Sequence, residues 1–372
     1  MKINVVLGHQ LGFPPVRGGG VENLNWMLVR EYARRGHEVV VYSRHTGSLP
    51  ARERDGHGIR HERLRGYDLH PNLWRDHANA LRYARRLWGV LERADVTTFH
   101  TPFSFLLRRK PGLGACTHTI HRTPKRIVRL YRGLDRLYGG SNAVIAQALA
   151  IDPGLANLKR IYNCIEVPEI EPPLAAPTGG LIFLYVGRFV PDKGIEALVR
   201  GFAQTRAEYP ASRLITVGPQ RSEDGADGAF FGRMQALVKT ERLVPAVEFR
   251  PPIFDRPKLD ALIRSADVVC VPTITGETFS MAILEAMALG KPILTSDFPP
   301  MTEAVDHGVN GYVGRAGDAA SMAEAIRYFN RIGPGLPDLG RAAYRKVKSE
   351  FSAPRIAQEY LADYAELAVR LA

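Results

Sequence analysis

The chain alternates apolar, strand-like runs with helix-patterned stretches, breaks at a proline-rich segment, and then begins the same alternation again. Such alternation is the mark of βαβ units whose strands pair in parallel, and it leaves few folds open. In the first half, residues 3–7 read as a strand, followed by Gly18-Gly19-Gly20 and a helix over about 21–35 that stops at Gly36. Strands are expected at 38–42, 96–99, 115–120 and 144–146. Residues 166–180, with four prolines and two glycines, read as a linker between domains. Beyond it the pattern predicts a strand at 181–186, a helix over about 194–208, and strands at 213–217, 268–271 and 292–295, with a helix at 281–289 before the last. Residues 352–371 form a final helical pattern, with Ser352 as N-cap and Pro354 in its first turn. Two such blocks predict two Rossmann-like α/β domains facing a cleft.

Length agrees, since 372 residues exceed what one hydrophobic core usually supports. A composition of 45% hydrophobic and 24% charged residues belongs to a globular chain. No apolar run approaches the roughly 18 residues that span a bilayer. The start is too short and too soon polar for a signal peptide, and Cys116, Cys164 and Cys270 are too scattered for a disulfide framework; the expected compartment is the cytoplasm. The net charge of +12 is unevenly placed. Residues 1–175 hold 27 Lys and Arg against 15 Asp and Glu, whereas residues 176–372 hold 23 of each. The N-terminal half therefore invites an anionic partner, such as a membrane surface or an anionic acceptor. Nucleic acid is not expected, because no basic motif interleaved with aromatics and no known binding module occurs.

The strongest chemical signal is segment 276–290, Gly-Glu-Thr-Phe-Ser-Met-Ala-Ile-Leu-Glu-Ala-Met-Ala-Leu-Gly. Within its helix every residue but Glu285 is apolar, so Glu285 is expected to be buried, with no Arg or Lys beside it on the helix. A vicinal diol such as a ribose would donate two hydrogen bonds to such a carboxylate, the alternative being a structural glutamate paired with an arginine distant in sequence. Glu277 precedes the helix, in a loop after a strand end, and the amides of residues 280–282 form a helix N-terminus suited to an anion. Arg188 and Lys193 lie on a turn after another strand, where two cations clamp a diphosphate and stabilise the charge it gains on leaving. Gly19 and Gly20 allow a ligand close to the backbone, but their spacing is neither a dinucleotide fingerprint nor a P-loop. His100 and His121 each follow a strand end in the first half. No Asp-x-Asp and no Cys/His cluster points to a metal.

These residues resemble those of retaining glycosyltransferases of the GT-B fold, specifically glycosyltransferase family 4. The resemblance runs over nearly the whole chain. It includes Glu277 and Glu285 as a Glu-x7-Glu motif, Arg35-Gly36-His37, Gly187-Arg188 with Lys193-Gly194, Gly290-Lys291-Pro292, and Glu303-Ala304-Val305 with Gly308-Val309-Asn310-Gly311. Thr278 stands where many members have glycine. The resemblance implies an acceptor-side domain at 1–170, a nucleotide-sugar domain at 171–350, and a helix at 351–372 returning to the first. It implies Gly19, Gly20, Arg188, Lys193, Phe279, Ser280, Met281 and Glu285 as the donor-binding set, and His121, Glu277, Arg188 and Lys193 as the catalytic set, with His121 preferred over His100. The implied reaction is metal-independent and has no cofactor beyond the nucleoside-diphosphate sugar. That donor is expected to be a UDP-sugar, and the sugar to pass to a saccharide or lipid-linked acceptor in an α-linkage. A nucleotide-sugar epimerase or a phosphorylase shares the fold; the Glu277/Glu285 spacing opposes the first, and no pyridoxal-phosphate lysine marks the second.

One further stretch carries charge in a pattern. Thr123 and Pro124 suit a helix start, and Ile127, Leu130, Tyr131, Leu134, Leu137 and Tyr138 recur at helical spacing. Arg122, Lys125, Arg126, Arg129, Arg132 and Arg136 follow the same rhythm, offset by about half a turn. An amphipathic helix with a basic face is therefore expected over 122–138, either suited to anionic lipid at the inner face of a membrane or to an anionic acceptor, or packed on its own sheet with the basic face solvated.

Overall fold

The computed structural model describes residues 1–15, 19–68, 70, 72–222 and 225–371, so Gly18 lies outside the described residues. The chain divides into two compact units, one of residues 1–164 with 352–372 and one of residues 165–351.

The first unit runs β1 (Lys2–Val6), α1 (Gly20–Arg34), β2 (Glu38–His45), β3 (Arg52–Arg54), β4 (Arg60–Arg65), α2 (Leu73–Val90), β5 (Val96–Phe99), α3 (Ser104–Leu107) and β6 (Ala115–Ile120). A 3-10 turn (Arg126–Gly133), β7 (Arg136–Gly139), α4 (Asn142–Ile151) and β8 (Leu158–Arg160) follow. The sheet order is β3-β4-β2-β1-β5-β6-β7-β8, parallel except for the β3–β4 pair. Val5, Val40, Val96 and Leu137 are fully buried, as strands covered on both faces require.

The second unit runs β9 (Ile182–Val186), α5 (Ile195–Thr205), β10 (Arg213–Val217), α6 (Gly228–Thr240), β11 (Val247–Arg250), α7 (Arg256–Ser265), β12 (Val268–Val271), α8 (Met281–Ala288), β13 (Ile293–Ser296), α9 (Pro299–Thr302), β14 (Gly311–Gly314), α10 (Ala319–Ile332) and α11 (Leu336–Glu350). Its six strands are parallel, in the order β11-β10-β9-β12-β13-β14. Phe183 packs edge-on against Phe202 of α5 and Phe329 of α10, which ties both helices to the sheet. The Ile165 amide donates to the Phe351 carbonyl at 2.9 Å, so the chain enters and leaves this unit side by side.

The last helix, α12 (Ala353–Leu371), belongs to the first unit and packs on α1 and β6. Tyr360 and Tyr364 meet Tyr138 and Tyr32 at ring distances of 4.8 and 6.1 Å. Asp363, fully buried, accepts from Arg136 at 3.0 Å, Lys159 at 2.7 Å and the Tyr138 hydroxyl at 2.7 Å. A buried carboxylate needs such donors, and these three fix the helix at one register.

Two expectations are corrected. Residues 144–146 lie within α4, because the Ser141 hydroxyl caps the Val144 amide at 3.2 Å and starts a helix there. The basic segment is not one helix from 122 to 138. Its 3-10 turn starts only at Arg126, and residues 136–139 join the sheet between β6 and β8, so the expected stripe has no continuous face. Leu130 is 52% exposed rather than packed. Three of the arginines are also engaged within the unit: Arg129 with the Ile151 carbonyl, Arg132 with Asp152, and Arg136 with Asp363.

Candidate active site

In each sheet the strand order reverses at one point, between β1 and β5 in the first unit and between β9 and β12 in the second. Ligands of doubly wound sheets bind beyond the carboxyl ends of strands at such a point. The candidate residues gather at both.

In the second unit, Arg188 and Lys193 follow β9, while Glu277 follows β12. Gly194 brings the two loops together. Its φ of +69° is left-handed, and a Cβ there would lie 1.9 Å from the Pro272 carbonyl oxygen. The Ile274 amide donates to the Asp192 carbonyl at 2.8 Å and completes the junction. As a result Lys193 Nζ donates to Glu277 Oε2 at 2.6 Å, with both side chains about one-fifth exposed. Arg188 donates to the Gly225 carbonyl at 3.0 Å. Phe279 is buried against Phe351, ring to ring at 5.4 Å, and anchors the loop before α8. Ser280 takes the N-cap position of α8 without a side-chain cap bond, and the helix begins at Met281. The first-turn amides of a helix are free of intrahelical acceptors.

Glu285 differs from expectation. It is half-buried, and α7 supplies the cation that its own helix lacks: Arg256 Nη1 donates to Glu285 Oε1 at 2.8 Å. Arg256 also meets Asp260 at 2.7 Å, one turn on in α7. Burial pushes the Glu285 carboxyl up, and the Arg256 charge opposes that shift.

In the first unit, Gly19 precedes α1 with a φ of +116°, and a Cβ there would lie 2.3 Å from Glu22 Oε2. Gly20 opens the helix. Glu22 is buried, and burial raises its carboxyl pKa against its own backbone hydrogen bond and the charge of Arg122. His100 and His121, from the adjacent strands β5 and β6, meet with Nδ1 and Nε2 2.6 Å apart. His118, three residues earlier on β6, is buried with Nδ1 3.2 Å from Ser104 Oγ and its ring 4.3 Å from that of Tyr131. Burial pushes all three imidazoles down, His121 to about 4 and His118 to about 3, helped for His121 by the Arg122 charge. Near neutral pH they are uncharged, so the close His100–His121 pair shares one ring N–H between two nitrogens.

Known proteins were compared with the chain. Residues 166–346 match the family described as glycosyl transferases group 1, and residues 18–152 match Glycosyltransferase Family 4. The chain is 26% identical over 396 residues to glycogen synthase of Mycobacterium tuberculosis, covering 94% of this chain and 92% of that protein. It is 32% identical over 256 residues to phosphatidyl-myo-inositol mannosyltransferase of Mycobacterium leprae, covering 65% of each. Among solved structures, sucrose-phosphate synthase of Thermosynechococcus elongatus superposes with a TM-score of 0.81 at 22% identity, over 99% of both chains. The chain is a family 4-type glycosyltransferase. Its fold is GT-B, and it transfers a sugar from a nucleotide sugar.

For this glycosyltransferase, sequence reasoning placed Lys193 and Glu277 in separate motifs, and folding joins them in one ion pair. It missed Arg256, Glu22 and His118. Arg256 gave no signal of its own, whereas Glu22 was marked by following the glycines in a helix's first turn, where an acid is favoured. His118 looked like an ordinary strand residue. Among the described residues no helix is long and apolar enough to cross a membrane.

The histidines give the enzyme a predictable response to acid. An unfolded histidine takes up its proton near pH 6.5, but folded His121 does so only near 4. Between those values the unfolded state binds more protons, so stability falls as pH falls through that window. For His121 the loss is on the order of 3 kcal/mol. Urea unfolding at pH 7 and pH 4.5 should therefore show His121→Asn losing less stability on acidification than the wild type. Equal losses would mean that the imidazole is not held neutral by its surroundings.

Proposed function

We propose that the enzyme transfers a sugar from a nucleoside-diphosphate sugar, with UDP as the nucleotide, to a hydroxyl of a saccharide or lipid-linked acceptor, with retention and without a metal. The observation that carries this reading is the Lys193–Glu277 ion pair at the point where the second sheet reverses, beside the open N-terminus of α8. Arg188 and Lys193 meet the donor diphosphate, whose leaving oxygen gains charge as the bond to the anomeric carbon breaks. The acceptor oxygen bonds to that carbon on the face the diphosphate leaves, and its proton passes to the departing phosphate. The product is an α-glycoside and a free nucleoside diphosphate. Glu277 contacts the donor sugar, and its hydrogen bond from Lys193 holds it oriented. Glu285 takes the ribose diol. Arg256 does not conflict with that role, because an ionised carboxylate offers about four lone-pair sites and Arg256 engages one oxygen. Phe279, Ser280 and Met281 line the donor phosphates with backbone, and Gly19 and Gly20 complete the donor-binding set because glycine lets a ligand approach the backbone closely. His121, neutral and paired with His100, hydrogen-bonds the donor sugar and the acceptor hydroxyl. The choice of UDP draws on HepE of Anabaena, solved in complex with UDP-glucose, which superposes with a TM-score of 0.75 at 18% identity over 98% of this chain and 100% of that one.

The deciding experiment supplies UDP-, GDP- and ADP-sugars with simple saccharide acceptors, follows nucleoside diphosphate release, and reads the new linkage by NMR. An α-linked product from a UDP-sugar is expected, and a β-linked product would remove the retaining mechanism. Because the leaving charge is met by side chains, transfer should persist in excess EDTA. Complete loss on chelation, restored by Mn²⁺, would place the enzyme in a metal-dependent class.

A further inference from the structure

Helix α2 carries an exposed face that nothing in its own unit covers. Trp74 is 85% exposed, Leu81 41% and Trp88 42%, and their spacing of seven residues places them on one stripe. The opposite face, with Tyr83 and Leu87, is fully buried in the first unit's core. A tryptophan on an exposed helix face costs solvation, and two on one stripe form an apolar patch rather than scattered exposure. The patch continues onto α3: Leu81, Ala84, Arg85, Trp88, Leu106 and Leu107 line a shallow groove of about 300 Å³. Lys110 closes one end, donating to the Trp88 carbonyl at 2.5 Å.

The charges around the patch are of one sign. Arg75, Arg82 and Arg85 of α2 and Arg108 and Arg109 after α3 are all exposed. Among the described residues, none of these five joins an ion pair. Arg82 donates to Asn79 Oδ1 at 3.1 Å, whereas Arg132 and Arg136 are held in ion pairs with Asp152 and Asp363. The only acid on α2, Asp76, turns inward to His9 and Gln10. Tryptophan and leucine on one face with unpaired arginines beside them is the pattern of a helix lying in a bilayer interface. Tryptophan favours the headgroup boundary, and arginine buries its stem while its guanidinium meets phosphate.

We propose that the α2–α3 face docks the enzyme on an anionic phospholipid surface, with Trp74, Leu81 and Trp88 inserted among the headgroups and Arg75, Arg82, Arg85, Arg108 and Arg109 bound to lipid phosphates. The docking does not depend on which sugar or acceptor the enzyme uses. It places the membrane contact on the α2–α3 face rather than on the 122–138 segment, where Arg129, Arg132 and Arg136 are engaged within the unit.

Vesicles of equal phosphatidylglycerol and phosphatidylcholine test it, with pure phosphatidylcholine for comparison. The full-length protein should sediment with the anionic vesicles at low salt and be released by 0.5 M NaCl. Reversing Arg75, Arg82 and Arg85 to Glu should weaken partitioning by about 100-fold or more, at about tenfold or less per basic residue lost. Because Trp26 is the one tryptophan off this face, lipids brominated near the headgroup should quench wild-type fluorescence and leave Trp74→Phe/Trp88→Phe unquenched. Nucleotide-sugar hydrolysis in solution should be unchanged in both variants, which shows that they are folded. The proposal is overturned if the wild type ignores anionic vesicles at low salt, or binds a soluble anionic polysaccharide but not vesicles. It is equally overturned if Arg122→Glu/Lys125→Glu/Arg126→Glu abolishes vesicle binding while the α2 reversal leaves it intact.

Discussion

Replacing Arg188 by Ala, or Glu285 by Gln, is expected to lower the rate of sugar transfer by about 10²–10³, the cost of removing one aimed donor or its charged counterpart from a developing transition-state charge. Among the described residues the Arg188 guanidinium hydrogen-bonds only the Gly225 carbonyl, so its loss should leave the sheet intact. The Glu285→Gln change keeps shape and volume, and Arg256 retains its 2.7 Å bond to Asp260. The two variants should differ in kind. Arg188→Ala should act on kcat, because the diphosphate gains charge only as it leaves. Glu285→Gln should also raise KM for the donor, because the proposed ribose contact would be made already in the ground state. Initial rates across donor concentration, with circular dichroism to confirm folding, check both. Activity within threefold of wild type in either folded variant would remove that residue from the site.

The second large effect is structural. Gly194→Ala should destabilise the second unit by roughly 3 kcal/mol and cost most of the activity. Two penalties combine at this position. A left-handed φ costs a non-glycine residue about 1–2 kcal/mol, and the added Cβ would stand 1.9 Å from the Pro272 oxygen, so the two loops must part. Parting them separates Lys193 from Glu277. Gly36→Ala is the matched comparison, since its φ of +81° carries the first penalty while no atom lies within 4 Å of the new Cβ. Urea unfolding of both should show Gly36→Ala losing only the smaller amount. If the two variants are equally stable, the Gly194 junction is not what holds the site together.

The parts of the molecule that the sequence made legible are those with local causes. Buried parallel strands need short apolar runs, and strands at Val96–Phe99, Ala115–Ile120, Arg213–Val217 and Val268–Val271 form where the runs stand. Helix α8 follows its unbroken apolar stretch and ends before Gly290. Several elements were not read at all. Strand β4, Arg-His-Glu-Arg-Leu-Arg, is mostly polar and exists by pairing with β2, which local pattern does not record. Helix α2 went unread because its apolar residues divide between two faces, one packed and one exposed. Over 122–138 local spacing read as one helix, and pairing of residues 136–139 with β6 and β8 decided for strand at its end.

By itself the sequence determined the alternation that forces parallel sheets, the two carboxylates and two cations here proposed for the donor side, and the sign of the charge on the first half, because each is a property of neighbouring residues or of composition. Tertiary structure alone decided the partnerships. Lys193 finds Glu277 across 84 positions, Arg256 finds Glu285 across 29, and His100 finds His121 across 21. It also decided which arginines pair with acids, since Asp152 and Asp363 engage Arg132 and Arg136, while those of α2 and Arg108 and Arg109 after α3 meet no carboxylate among the described residues. An ion pair depends on distance in space, and distance in space is set by strand order, which no window along the chain contains.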